Sequence, residues 1–145
     1  MILEDEAATE AAGAQIATLL RAGDVITLSG PLAAGKTTLV RGLIAALGHG
    51  DEVPSPSFSI VQPYEHLDLP VWHVDLYRVE AHPELEELGL DDILADGVLI
   101  VEWPEKAGGG RWPNALALSL EVQADGSRAL TARVSEAWEG RWPFP

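Results

Sequence analysis

The sequence predicts one α/β domain: a mixed, largely parallel central sheet flanked by helices, with an antiparallel hairpin at the C-terminal end. Three observations carry this. Short apolar runs alternate with helical patterns through the first two-thirds of the chain, as in strand–helix–strand units. Val98-Leu99-Ile100-Val101 is apolar at every position, as a strand buried on both faces of a parallel sheet must be. Two further runs, Ala115 to Val122 and Arg128 to Val134, flank Ala124-Asp125-Gly126-Ser127, an Asp-Gly hairpin signal.

The bulk properties bound the class. A chain of 145 residues forms one domain, residues 1–145, with a real core. A hydrophobic fraction of 47% and a charged fraction of 22% exclude a disordered chain. There is no cysteine, hence no disulfide scaffold and no thiol chemistry. No secretory h-region opens the chain and no apolar run nears a membrane span, so a cytoplasmic protein with no membrane role is expected. The net charge of −14 sets the terms for any partner. Gripping RNA or DNA needs clustered Lys and Arg, so work on nucleic acid would run through a protein that supplies the binding surface. The acidic surface serves solubility equally well.

Taken in order, residues 1–8 are acidic and Ala-rich and read as a loose start. From Thr9 to Ala22, Ala12, Ile16, Leu19 and Leu20 fall on one helical face, with Thr9 as N-cap and Gly23 as C-cap. Val25 to Leu28 is a strand. A helix follows to Leu47, closed by Gly48 and Gly50. In Asp51–Phe58 two prolines preclude a regular helix and favour an extended loop. Ser59 to Gln62 reads as a strand and Tyr64 to Pro70 as a polar turn. Val71 to Tyr77 is a strand whose apolar part meets Asp75. Glu84 to Leu88 is a short helix ended by Gly89, and Asp91 to Leu94 another helical turn. Val98 to Val101 runs straight into Glu102-Trp103-Pro104-Glu105, and Gly108 to Gly110 is a loop. Residues 136–145 read as a loose tail in which Trp138, Trp142 and Phe144 are able to pack back. No internal repeat or second domain is visible.

Between the first long strand and the helix after it lies Gly30-Pro31-Leu32-Ala33-Ala34-Gly35-Lys36-Thr37-Thr38. Gly, four free positions, Gly, Lys and Thr is P-loop spacing, here in the strand–loop–helix context that the motif requires. The chain has two lysines, and one of them fills the motif position. The physical reasons are separable. The glycines let backbone N–H groups turn inward as an anion nest. The helix N-terminus adds its positive dipole end. Lys36 can reach the β- and γ-phosphates, and Thr37 offers Mg²⁺ a hydroxyl. Gly30, Leu32, Ala33, Ala34, Gly35, Lys36, Thr37 and Thr38 are thus the candidate ATP-binding set.

Hydrolysis also needs acids around Mg²⁺ and a group that positions water. Such groups gather where strands end beside the P-loop. Ser57 lies in the Pro-braced loop, as a switch-type metal ligand would, or is a turn hydroxyl. Asp75 ends a strand, as a Walker-B aspartate would, and Glu102 follows another. Both are also readable as solvated strand-end charges. Trp103 either stacks on an adenine or packs in the core. His66 and His73 lack metal-type spacing and read as surface or structural histidines.

Together these segments resemble the TsaE (formerly YjeE) family, the small bacterial P-loop ATPase of tRNA threonylcarbamoyladenosine biosynthesis. The likeness rests on Gly30–Thr38 with Leu39-Val40-Arg41-Gly42-Leu43, Ser55-Pro56-Ser57-Phe58 and His73-Val74-Asp75-Leu76-Tyr77-Arg78. It continues through Glu84-Leu85, Leu88-Gly89 and Glu102-Trp103-Pro104-Glu105, and covers about residues 9–134. It implies ATP binding, weak Mg²⁺-dependent ATP hydrolysis, and support for the enzymes that attach threonylcarbamoyl to adenosine-37 of tRNAs reading A-starting codons. It implies TsaD- and TsaB-type proteins as partners, with tRNA met only through that complex. By motif match, Lys36, Asp75 and Glu102 carry catalysis, and Thr37, Ser57, Asp75 and Glu102 form the metal site. Thr9 falls near a threonine that the family places by the nucleotide base, and Arg128 near a late arginine on the same side. Two positions depart from the pattern: Pro31 stands where an acidic residue is usual, and Ala33 where glycine is. Pro31 removes a donor and Ala33 narrows backbone freedom.

Two other readings share the P-loop. A small-molecule kinase would bring lid arginines onto the transferring phosphoryl group, yet residues 79–110 contain none. A nucleotide-binding regulatory module would bind without turnover. The single asparagine, Asn114, leaves no guanine-reading motif.

Overall fold

The computed structural model describes residues 1–31, 34–50, 61–77, 92, 94–107 and 111–142. Along the chain these form β1 (Ile2–Leu3), α1 (Glu6–Ala17), β2 (Val25–Ser29), α2 (Lys36–Ala46), β3 (Val61–Tyr64), β4 (Val71–Asp75), β5 (Val98–Glu102), β6 (Leu116–Val122) and β7 (Arg128–Arg133). Short 3₁₀ turns follow β5 (Pro104–Ala107) and β7 (Glu136–Trp138). The strands make one seven-stranded sheet in the order β1-β7-β6-β2-β5-β4-β3. Its inner pairs, β6 with β2, β2 with β5 and β5 with β4, are parallel. Its outer pairs are antiparallel. The mixed, largely parallel sheet and the terminal hairpin are therefore as the sequence predicts. Pro63 sits in β3, an edge strand, where a residue without an N–H is tolerated.

The side-chain period of two divides the core. Ile26, Leu28, Ile100, Leu116, Leu118 and Leu120 face α1 and α2 and pack with Ile16, Leu39, Leu43 and Ile44. Val25, Val74, Leu99 and Val101 pack on the reverse face. The run Val98–Val101 feeds both layers, which is why it is apolar without interruption. The two helices touch through backbone. A Cβ on Gly13 would stand 2.0 Å from the Leu39 carbonyl oxygen, and one on Gly42 would stand 2.0 Å from that of Glu10. This contact brings the N-terminal half of α1 over the start of α2.

Several expectations are corrected. The start of the chain is not loose: β1 pairs with β7, and Leu3 is fully buried. The N-cap of α1 is Asp5, whose carboxylate accepts from the Ala8 N–H at 2.8 Å, and not Thr9. The helix ends at Ala17, short of Ala22. Tyr64 belongs to β3 and is buried, so the polar turn starts after it. The tail is ordered through Trp142: Trp138 is fully buried, and Arg141 makes a fork of 2.9 Å hydrogen bonds to Asp24. The expected helix at 84–88, the Pro-braced loop at 51–58, Ser59 and Ile60 of the strand expected at 59–62, and Asp91 and Ile93 of the helical turn expected at 91–94 lie outside the described residues. No helix among the described residues is long and apolar enough to cross a membrane.

Candidate functional site

β2, β4 and β5 are parallel neighbours or near-neighbours, so their C-terminal ends gather at one edge. The chain leaves β2 at Ser29 and turns through Gly30 (φ 141°) and Gly35 (φ 100°), left-handed backbone that favours glycine. At Gly30 space is also short, since a Cβ there would stand 2.4 Å from the Leu120 carbonyl oxygen. Gly35 is the N-cap of α2 and contributes no side-chain cap. The first-turn N–H groups of α2 thus have no side-chain oxygen from the cap position, the arrangement in which a helix start receives an anion.

Lys36 opens α2 and is only 4% exposed. Its Nζ donates to the Gly30 carbonyl at 2.7 Å, lies 3.9 Å from Glu102 Oε1 and stands 4.2 Å from the centre of the Trp103 ring. Burial pulls its pKa below the ordinary lysine value, against the opposing pull of Glu102, Asp75 and Glu105. An ammonium held out of water, with one carbonyl bond and an acid 3.9 Å away, is chemically able to take anionic oxygens as partners.

The acids come from register. Asp75 ends β4 and Glu102 ends β5, and the two are paired across the parallel ladder. Both are buried. Asp75 Oδ1 accepts from the Tyr77 N–H at 2.9 Å, and Glu102 Oε2 lies 2.6 Å from His73 Nε2. Directly after Glu102, Trp103 adopts φ 57°, the one non-glycine positive φ among the described residues. Its N–H donates to the Leu28 carbonyl at 3.2 Å, which ties this strained turn to β2. The Trp103 ring also meets Tyr77, centroid to centroid at 5.0 Å.

Thr9 and Arg128, far apart in sequence, arrive at the same loop. Arg128 Nε donates to the Ala34 carbonyl at 3.0 Å. A Cβ on Gly35 would stand 3.7 Å from Arg128 Nε and 3.8 Å from Thr9 Cγ2. Thr37 and Thr38 follow Lys36 in the first turn of α2, both half-buried. Leu32, Ala33 and Ser57 lie outside the described residues. Of the sequence-derived set, Lys36, Asp75, Glu102 and Trp103 are thus one cluster, with Thr9, Gly30, Ala34, Gly35 and Arg128 around the loop.

One member of the cluster, His73, was read from sequence as a surface or structural histidine; it is the structural one, wholly buried and bonded to Glu102, a bond that the sequence reading did not foresee. The signal was its spacing. Two positions before Asp75 on a strand, it shares that residue's face.

The donor set also says what kind of cation fits. Among the described residues no three His, Cys, Asp or Glu side chains converge as a protein cage. The two carboxylates, neighbours in the β4–β5 register, and a hydroxyl from Thr37, the residue after Lys36, would suit an oxygen-loving ion that keeps waters and shares phosphate oxygens, which is the habit of Mg²⁺.

Comparison with known proteins finds relatives along most of the chain. The family model described as "Threonylcarbamoyl adenosine biosynthesis protein TsaE" matches residues 3–131. The chain is similar to the tRNA threonylcarbamoyladenosine biosynthesis protein TsaE of Treponema pallidum (strain Nichols), 36% identical over 120 residues, 82% of this chain and 88% of that one. It is 49% identical to the Streptomyces coelicolor protein of the same name over 96 residues, 64% of this chain and 65% of that one. Among solved structures, Bacillus subtilis YdiB superposes with a TM-score of 0.78 at 31% identity, covering 91% of this chain and 82% of that one.

Proposed function

The chain belongs to the TsaE family of threonylcarbamoyl adenosine biosynthesis proteins, and on that premise we propose that it binds and slowly hydrolyses ATP with Mg²⁺ in support of tRNA modification. The observation that carries the nucleotide reading is Lys36. A buried ammonium stands at the head of a glycine-cradled helix start, with two paired strand-end acids beside it.

The loop residues Gly30, Ala34 and Gly35 would wrap the phosphates, and Thr38 would close the nest. Lys36 would exchange its bonds to Gly30 for the β- and γ-oxygens. Thr37, Asp75 and Glu102, with Ser57 as the remaining candidate, would hold Mg²⁺, which supplies charge neutralisation on the phosphates. Glu102 would also orient the attacking water. Trp103 covers the Lys36 amine, and Thr9 and Arg128 border the loop on its other side. The acidic chain acts in the cytoplasm through protein partners of the TsaD and TsaB type and meets tRNA only through them. Calorimetric titration with ATP and Mg²⁺, repeated on Lys36→Ala, tests the site. Binding in the parent and none in the variant is expected; equal binding in both overturns the reading. ATP-dependent capture of TsaD- and TsaB-type proteins from the source cell tests the partnership, and their absence under both ATP and ADP overturns it.

A further inference from the structure

We propose that His73 is a positioning residue: it holds one oxygen of the Glu102 carboxylate so that the other faces the phosphate side of the site. This rests on the nucleotide-site reading above.

The geometry is specific. His73 pairs with Ile100 in the β4–β5 ladder, and Asp75 pairs with Glu102. His73 and Glu102 are therefore diagonal neighbours on one sheet face, within reach of long side chains. His73 Nε2 lies 2.6 Å from Glu102 Oε2, and Glu102 Oε1 is the oxygen directed at Lys36, 3.9 Å away. Each oxygen has its own direction, one back into the sheet and one toward the loop. A carboxylate held at one end cannot spin about its last bond, so its free oxygen stays aimed.

The cost of His73 points the same way. The ring is wholly buried, and its Nδ1 has no hydrogen-bond partner among the described residues. A leucine would fill a similar volume without stranding a polar atom. A packing role alone does not favour an imidazole there. The hydrogen bond to Glu102 does. It also selects a tautomer. A proton on Nε2 is donated to the carboxylate and leaves only a lone pair unmet at Nδ1. A proton on Nδ1 would bury an unmet donor, the rarer arrangement in proteins.

Two experiments test this. In nucleotide-free protein, ¹⁵N-detected imidazole NMR should show His73 protonated at Nε2, with that proton moved downfield and shifted by Glu102→Gln. A proton on Nδ1 with none on Nε2, or no response to Glu102→Gln, overturns the proposal whatever the protein does with ATP. In turnover, His73→Leu should lower the hydrolysis rate about tenfold, the scale for loss of a residue that orients a ligand or catalytic group. ATP affinity should change by less than about threefold, and His73→Gln, whose amide N–H can reach the same oxygen, should recover most of the rate. In a Glu102→Gln background, His73→Leu should have almost no further effect. Equal losses in both backgrounds, or no rescue by glutamine in a variant that melts like the parent, would mark His73 as structural. Failure of the parent to bind ATP sinks the nucleotide reading instead, and the NMR result then decides His73 alone.

Discussion

Lys36 Nζ and Glu102 Oε1 stand 3.9 Å apart, with each side chain about 95% removed from solvent (4% and 5% exposed). That gap is longer than a direct hydrogen bond, and the ammonium is bonded instead to Gly30. The pair holds charge in place without neutralising it tightly. Lys36→Met keeps the length and apolar stem of the side chain and removes the ammonium. Charge-assisted bonds to phosphate are worth about 1.5–3 kcal/mol each, so ATP affinity should fall by roughly two orders of magnitude. Fluorescence titration should report this directly, because the Trp103 ring lies on the same amine.

The same lysine has a pH signature. Burial places its folded pKa below the ordinary 10.5 despite the opposing acids. Between that lowered value and the unfolded one, the unfolded chain carries a proton that the folded chain has lost. Stability contributed by Lys36 therefore rises with pH through this window and is lowest below it. Urea unfolding of the parent and of Lys36→Met, followed from neutral pH to the lysine range, should show the parent gaining on the variant as pH rises. A constant difference would mean that the amine is solvated.

The elements with internal periodicity were legible in the chain. Val98–Val101 announced a doubly buried strand, and Asp125-Gly126 announced the hairpin, whose turn Gln123 closes by donating to Ser127 at 2.8 Å. Contributions from distant residues were not legible. β1 is two residues long and has no period to read; it exists because β7 offers an edge. Asp5 and Thr9 are both chemically fit to cap α1; cap preference ranks Asp above Thr, and the structure follows that rank. The spacing of His73 sets the face it shares with Asp75, but its partner is fixed only when the β4–β5 register sets it beside a residue 29 positions away. For the site, the motif residues were visible as letters, whereas the Trp103 strain and the Arg128 bond to Ala34 depend on the folded chain.

The tail, acidic and Trp-rich in sequence, is anchored at two points. Trp138 is fully buried, and the Arg141 guanidinium lies 4.0 Å over its ring while gripping Asp24. Arg141 also donates to the Leu19 carbonyl at 2.9 Å, at the exit of α1. Trp138→Ala should cost about 3–5 kcal/mol, the range for a buried aromatic truncated to alanine. For a chain of this length that is roughly 10–16 °C in Tm. The anchor holds the end of α1 remote from Thr9, so ATP affinity below the transition should hold within about twofold. Thermal melts and titration at low temperature check both halves.

Gly42 offers the sharpest test of how packing supports the loop. Its Cα side faces the backbone of α1, and an added Cβ would stand 2.0 Å from the Glu10 carbonyl oxygen, which cannot swing aside as a side chain does. Alanine is the better helix former by about 1 kcal/mol, so on propensity alone Gly42→Ala should stabilise. The clash acts the other way. To relieve it α1 must shift outward, and such overpacking costs about 1–3 kcal/mol or more, with Leu39 and Gly13 already in contact nearby. A lower Tm is therefore expected in spite of propensity. The shift also withdraws Thr9 from Gly35, so ATP affinity should weaken along with stability. Gly50→Ala is the matched control: among the described residues its added Cβ would meet nothing within 4 Å, and neither Tm nor affinity should move. If Gly42→Ala raises Tm, the two helices are less tightly joined than their backbones indicate, and the route from α1 to the Gly30–Gly35 loop falls with it.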